Sequence, residues 1–200
     1  IYLAVKDVFN HPTIAGLSSI ARSEEDKVTL KPDQNLVSGN VPLTPIQHWF
    51  FESNHNEPNH YNQATLLLVK KKLDLSLLNQ VFSLLISHHD ALRLRYTLEA
   101  HNHWKQTCLA NDDTATCIEI DLISQKDNEL PFHIERESSL IQQSLDIEKG
   151  PVIRAVLFNC GSSRAQRLLI VIHHLMVDGV SWRILLEDLE RLYSQLAQGE

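Results

Sequence analysis

At roughly 100–200 residues per domain, a chain of 200 residues accommodates one domain, or one domain with a fragment of another. Its 43% hydrophobic content can fill a core, while a formal net charge of −7 argues against generic nucleic-acid binding, which needs Lys and Arg clustered against phosphates. No apolar run approaches the about 20 residues that cross a bilayer, and the start lacks the basic-then-apolar order of a secretion signal, so the expectation is a cytoplasmic protein with no membrane partner.

Residues 1–22 carry a short helical pattern, with Val5, Val8 and Phe9 on one face. Pro12 then opens a second short helix bearing Ile14, Leu17 and Ile20. The composition turns polar over 23–40, which reads as a linker. From Val41 the character changes: Thr44 is placed to cap a helix starting at Pro45, and Trp49, Phe50 and Phe51 follow. Tyr61 to Val69 reads as a strand, and Leu77, Val81, Leu84, Leu85 and His88 recur at helical spacing over 74–89. Leu92 to Tyr96 alternates as a strand, and Trp104 to Leu109 is expected to pair with it. Ile118 to Leu122 is a third strand, 132–145 a helix, and Val152 to Asn159 and Arg167 to Ile172 two further strands. A final helix from about Ser181 to Ala197 has the stripe Trp182, Leu185, Leu186, Leu189, Leu192, Tyr193 and Leu196. Strands interleaved with helices predict an α/β domain with a mixed sheet. Cys108, Cys117 and Cys160 form no C-x-x-C pair and read as free thiols of a reducing compartment. Neither end looks like a natural terminus, so the chain is expected to be cut from something longer.

The stretch His173-His174-Leu175-Met176-Val177-Asp178-Gly179-Val180-Ser181-Trp182 stands where the last strand gives way to the last helix. Four readings compete for it. The histidines are inert loop residues; or they ligate a metal with Asp178; or Ser181 is a nucleophile; or one histidine transfers protons. Adjacent residues on a strand face opposite ways, which opposes chelation by His173 and His174 together, and no H-E-x-x-H or cysteine pair assists. Arg183 stands where a G-x-S-x-G elbow needs its second glycine, so Ser181 serves better as the cap of the final helix. Histidine alone titrates near neutrality when unperturbed, which favours the fourth reading. In it His174 faces a channel, His173 packs inside, Asp178 turns back to hold the loop, and Gly179 permits the sharp reversal.

That stretch resembles the H-H-x-x-x-D-G signature of the condensation-domain superfamily of nonribosomal peptide synthetases, related to chloramphenicol acetyltransferase. Its continuation through Ser181-Trp182-Arg183-Ile184-Leu185-Leu186 is similar to the epimerization branch. Pro42-Leu43-Thr44-Pro45-Ile46-Gln47-His48-Trp49-Phe50-Phe51 resembles the family's opening motif, and Asn59-His60-Tyr61-Asn62-Gln63 the H-[FY]-N-Q element of the same branch. His88-His89-Asp90-Ala91-Leu92-Arg93-Leu94-Arg95-Tyr96 is similar to a further family element, although its histidine pair lacks a following glycine and reads as a helix end. Residues 1–22, with Asp7-Val8-Phe9-Asn10-His11-Pro12-Thr13-Ile14, resemble the last helices of a peptidyl carrier domain.

The resemblance implies a chloramphenicol-acetyltransferase-like half-domain, a mixed sheet flanked by helices, over 41–200, preceded by a carrier remnant at 1–22 and the linker 23–40. It implies epimerization of a carrier-bound aminoacyl or peptidyl thioester, with a peptide-bond-forming condensation domain or a noncatalytic docking module as rivals. His174 would be the catalytic residue. His173, Asp178, Gly179, Ser181, Trp182, Arg93 and Arg95 would support it, with Asp178 paired to Arg93 or Arg95. Gln47, Trp49, Asn62 and Gln63 would line the substrate channel. The implied cofactor is phosphopantetheine on a carrier domain; Ser18 and Ser19 do not match the carrier's attachment motif, and no metal is implied. The implied partners are that carrier, the C-terminal half of the same domain and adjacent synthetase modules. The resemblance places a glutamate in that second half as the partner of His174, so the 200 residues alone are expected to be inactive.

Overall fold

The computed structural model describes residues 3, 5–21, 35–53, 55–100, 103–114 and 116–199, which divide into two compact units, Ile1–Asn35 and Leu36–Glu200. The first holds α1 (Val5–Asn10) and α2 (Ile14–Ile20). Thr13, not Pro12, opens α2: its Oγ1 accepts from the Gly16 N–H at 3.1 Å. Val8, Phe9 and Ile14 are exposed, whereas Leu17 and Ile20 are half-buried. Most of the expected linker, 23–34, lies outside the described residues. Its last part does not behave as a linker, because β1 (Gly39–Val41) pairs antiparallel with β4 in the second unit. Ladder pairing uses backbone groups, so a polar composition did not prevent it.

Two sheets form the second unit. β1, β3 (Leu94–Glu99) and β4 (His103–Cys108) make an antiparallel sheet in the order β1-β4-β3. The expected pairing of β3 with β4 is present, but Asp90–Arg93 is a 3-10 turn where a strand was expected to begin. The fully buried Arg93 guanidinium accounts for the turn. It donates to the carbonyl oxygens of Ile86, Ser87 and Leu109 and to the Asp90 carboxylate, which holds the chain curled against the end of the preceding helix.

The second sheet is mixed and runs β2-β7-β6-β5, from β2 (Asn62–Leu68), β7 (Arg167–His173), β6 (Ile153–Asn159) and β5 (Cys117–Asp121). All pairs are antiparallel except β5 with β6. β6 and β7 are buried on both faces, which explains their nearly unbroken apolar runs. Ile153, Ala155, Leu157, Leu168, Ile170 and Ile172 enter one core, together with α3 (Pro45–Glu52), α4 (Leu75–His88) and α6 (Gly179–Gln198). Val156, Phe158, Leu169 and Val171 point the other way, toward α5 (Leu130–Gln143). The α6 stripe meets the first core as its spacing predicts. In α4 the buried face is Leu78, Val81, Phe82, Leu85 and Ile86, rotated from the expected stripe, with Leu84 and His88 exposed. The helix is apolar on more than one side, and Leu78, Phe82 and Ile86, all outside the expected set, form the side that goes in.

One latch closes the loop before β6. Arg95 donates to Asp112 Oδ2 at 2.6 Å and to Thr114 Oγ1 at 3.1 Å, beneath Gly150. Burial works against ionisation of Asp112, but hydrogen bonds from Thr114 and Arg95 outweigh it and hold the carboxyl below its usual range. Gly150 has φ +83°, and a Cβ there would collide with the Arg95 guanidinium and the Thr114 hydroxyl. Gly150→Ala is therefore expected to lower unfolding free energy by about 2 kcal/mol or more, read from the urea midpoint.

Candidate functional site

Antiparallel pairing of β2 with β7 sets Asn62 opposite His173 and Gln63 opposite Ile172. His173 is the last residue of β7 and His174 the first of the turn that follows, and Tyr61 contacts both rings. His173 is fully buried. Its Nε2–H donates to the Pro58 carbonyl at 2.7 Å, and its Nδ1 accepts the Leu175 N–H at 3.2 Å. Phe50 meets the ring edge-on at 5.9 Å between centroids. Burial pulls the His173 pKa down to about 4; the Pro58 bond opposes this shift and the neighbouring His174 adds to it. His173 is thus a neutral packing residue.

His174 is half-buried, with contacts on both ring nitrogens and on one ring face. Nδ1 lies 2.8 Å from the Val177 carbonyl oxygen, and Nε2 lies 3.2 Å from Gln63 Nε2. Tyr61 stacks on the ring at 5.0 Å and 23°, and the Tyr61 carbonyl accepts the His174 backbone N–H at 2.8 Å. The Trp182 indole N–H, from the first turn of α6, donates to Gln63 Oε1 at 2.8 Å. One imidazole is thereby gripped by β2, by the junction after β7, and by α6.

The junction is built differently from the expectation. Asp178, not Ser181, is the N-cap of α6: its Oδ1 accepts the Val180 N–H at 3.0 Å, the Ser181 N–H at 2.8 Å and the Ser181 hydroxyl at 2.7 Å. Those bonds from Ser181 and Val180 hold the Asp178 carboxyl below its usual range. The expected pairing of Asp178 with an arginine is absent. Arg93 and Arg95 are buried and committed to Asp90 and Asp112 respectively, so neither has reason to reach an exposed carboxylate. Nor does Gly179 supply a reversal that only glycine allows. It is the first residue of α6, its φ is not positive, and a Cβ there would meet nothing within 4 Å.

Of the four expected channel residues, Gln63 alone touches His174. Gln47 is buried: its Oε1 accepts the Thr44 N–H at 2.8 Å and its Nε2 donates to the Tyr96 hydroxyl at 2.7 Å. Asn62 ties β2 to α5 by donating to the His60 and Gln142 carbonyls, and Trp49 is an exposed residue of α3. Sequence reasoning missed Tyr61 and the Val177 carbonyl. Tyr61 was legible as the residue beside a strand whose partner ends at the histidines; the carbonyl carries no sequence signal. Among the described residues, His88, His89 and Asp188 form one trio of metal-type ligands, with ligand atoms within 4.8 Å of one another. It lies at the end of α4, where His89 Nε2 is already 2.9 Å from Asp188 Oδ2, and it does not include His173 or His174. Cys108, Cys117 and Cys160 are buried free thiols, and burial pushes that of Cys117 up to about 12. Among the described residues, no helix is long and apolar enough to cross a membrane.

Residues 37–200 match the condensation-domain family. The chain belongs to that family. It is 44% identical over 203 residues to one polypeptide of the linear gramicidin synthase of Brevibacillus parabrevis, a match covering 100% of this chain and 3% of that polypeptide. It is 41% identical over 197 residues to surfactin synthase subunit 1 of Bacillus subtilis (strain 168), covering 98% and 5%. The solved epimerization domain from the third module of tyrocidine synthetase B has a TM-score of 0.77 at 39% identity, covering 84% of this chain and 37% of that one. The starter condensation domain of rhizomide synthetase, at 18% identity and a TM-score of 0.67, covering 80% and 38%, shares the fold alone. The mixed sheet flanked by helices is thus the chloramphenicol-acetyltransferase-like architecture that the motifs implied. The chain spans 3 to 5% of the two synthase polypeptides and 37% of the tyrocidine epimerization-domain structure.

Two outcomes follow from this geometry. Because the folded-state pKa of His173 lies below its unfolded value, its contribution is present above about pH 6.5 and is lost as pH falls toward 4. Unfolding free energy from urea titrations should fall further between pH 7.5 and 4.5 for the natural protein than for His173→Gln, by about 2.5 kcal/mol. Gly179→Ala should leave the urea midpoint unchanged or slightly raised, since Ala is the better helix former and space is available.

Proposed function

We propose that this condensation-family domain is part of a nonribosomal peptide synthetase and inverts the α-carbon of a carrier-bound aminoacyl or peptidyl thioester. The observation that carries the reading is the imidazole of His174, half-exposed at the strand-to-helix junction, with contacts on both ring nitrogens. The 39% identity to a solved epimerization domain, against 18% to a starter condensation domain, favours inversion over peptide-bond formation.

The thioester carbonyl makes the α-hydrogen acidic. His174 Nε2 takes that proton: the C–H bond breaks, the N–H bond forms, and the electron pair moves into the enolate. Inversion requires the proton to return on the opposite face, from a second group; the family resemblance makes this a glutamate in the other half of the domain. Phosphopantetheine arrives as the tether of the substrate and belongs to the carrier. The carrier remnant assigned to residues 1–22, the neighbouring modules as partners and the cytoplasm as location are part of the same proposal.

Condensation is the second reading, favoured by the family match itself. In the intact synthetase that carries this segment, incubation in deuterium oxide separates the two. Wash-in at the α-carbon without an acceptor aminoacyl carrier is expected; product formed only with an acceptor would establish condensation instead. His174→Ala should slow wash-in by about 10²–10⁴-fold, and unchanged wash-in and product chirality would reduce the domain to a docking module.

A further inference from the structure

We propose that Gln63, locked by the Trp182 indole, is a positioning residue that presents His174 with its hydrogen on Nδ1 and its lone pair on Nε2. The argument uses only groups whose hydrogen-bonding direction is fixed by chemistry. An indole N–H can only donate, so the Gln63 atom 2.8 Å from Trp182 Nε1 is the carboxamide oxygen. The Gln63 nitrogen is then the atom facing His174 Nε2 at 3.2 Å. An amide nitrogen can only donate, so Nε2 accepts and carries no hydrogen. A carbonyl can only accept, so the Val177 oxygen 2.8 Å from Nδ1 requires a hydrogen there. Turning the carboxamide over would satisfy an Nε2–H but would set its NH₂ against the indole N–H, two donors face to face. Trp182 therefore decides the tautomer of a ring it does not touch in this chain of bonds.

The arrangement is specific in sequence as well as in space. Gln63 and His174 are 111 residues apart, and Gln63 and Trp182 are 119 apart. Gln63 and Ile172 face each other across the ladder, which places the carboxamide on the same side of the sheet as His174, two residues further on. Tyr61 on the ring face limits its tilt. The acceptor atom Nε2 is thus aimed along the Gln63 amide. Nε2 has a single lone pair, which the Gln63 N–H occupies, so the amide has to move aside before Nε2 takes a proton from substrate. Gln63, expected from the sequence to touch substrate, instead acts through the imidazole.

This inference rests on the reading of His174 as the proton-transferring group, and its test separates the two. In ring-nitrogen-labelled protein at pH 7.5, long-range proton–nitrogen spectra of His174 should show Nδ1 protonated and Nε2 bare. Gln63→Glu offers only acceptors to Trp182 and to Nε2. With Val177 still demanding a hydrogen on Nδ1, both ring nitrogens should become protonated, and wash-in by the intact synthetase should fall about 10–100-fold in kcat with KM within about twofold. Trp182→Phe keeps an aromatic ring at the position but frees the amide to turn. It should introduce the Nε2–H tautomer and a smaller loss in kcat, with the melting temperature confirming that the variant is folded. Natural protein showing hydrogen on Nε2, or Gln63→Glu leaving both the ring and kcat unchanged, overturns the relay. Spectra as expected in a protein whose His174→Ala variant keeps full wash-in leave the relay standing and overturn the functional reading.

Discussion

The pairing of β2 with β7 is the constraint on which the rest of this site depends. β7, a strand buried on both faces, ends at His173 and leads directly into His174, but β7 alone would leave the surroundings of the two rings undecided. The antiparallel neighbour decides them. It brings the Pro58 carbonyl to the buried ring, and the Tyr61 ring and Gln63 amide to the half-exposed one. Identical side chains, one position apart, thus acquire different surroundings, one ring fully buried and the other half-exposed.

The loop between β7 and α6 adds a second level of order. Asp178 binds the first turn of α6 three times, and the helix so anchored carries Trp182 back over the end of β2. The aspartate of the signature therefore acts on the histidine at a distance, by fixing where the helix starts and hence where the indole falls. This accounts for its place in the motif without any ion pair to Arg93 or Arg95. Those arginines hold other corners, the turn before β3 and the loop before β6.

Much of the architecture was legible because burial on both faces writes itself as apolar runs in β6 and β7, and because α6 has a single strong stripe. The α4 stripe was misread because that helix is apolar on more than one side, so periodicity offered two faces and packing chose between them. β1 was hidden because a short strand joined through its backbone needs no apolar side chains. At the site, the place of the two histidines at the exit of a buried strand followed from the apolar run before them. The cap at Asp178 was displaced to Ser181 because both residues are good caps, and three donors converging on one carboxylate cannot be seen from composition. The arginine pairing came from resemblance, whereas Arg93 pairs with Asp90, three residues before it, and Arg95 with Asp112 across a loop that spacing does not reveal.

β2 lies at the margin of its sheet, with Leu66 and Leu68 exposed along it. A slip of one position there would exchange Gln63 for Asn62 beside the imidazole and turn a packed face outward. Among the described residues, this alignment rests on a strand paired on one flank, by β7. Gln63 must also meet His174 and Trp182, which lie 111 and 119 residues further along the chain, so the imidazole gains its final orientation only after distant segments have met. The orientation of that imidazole is then a late product of folding, reached when a strand at the edge of its sheet comes into register.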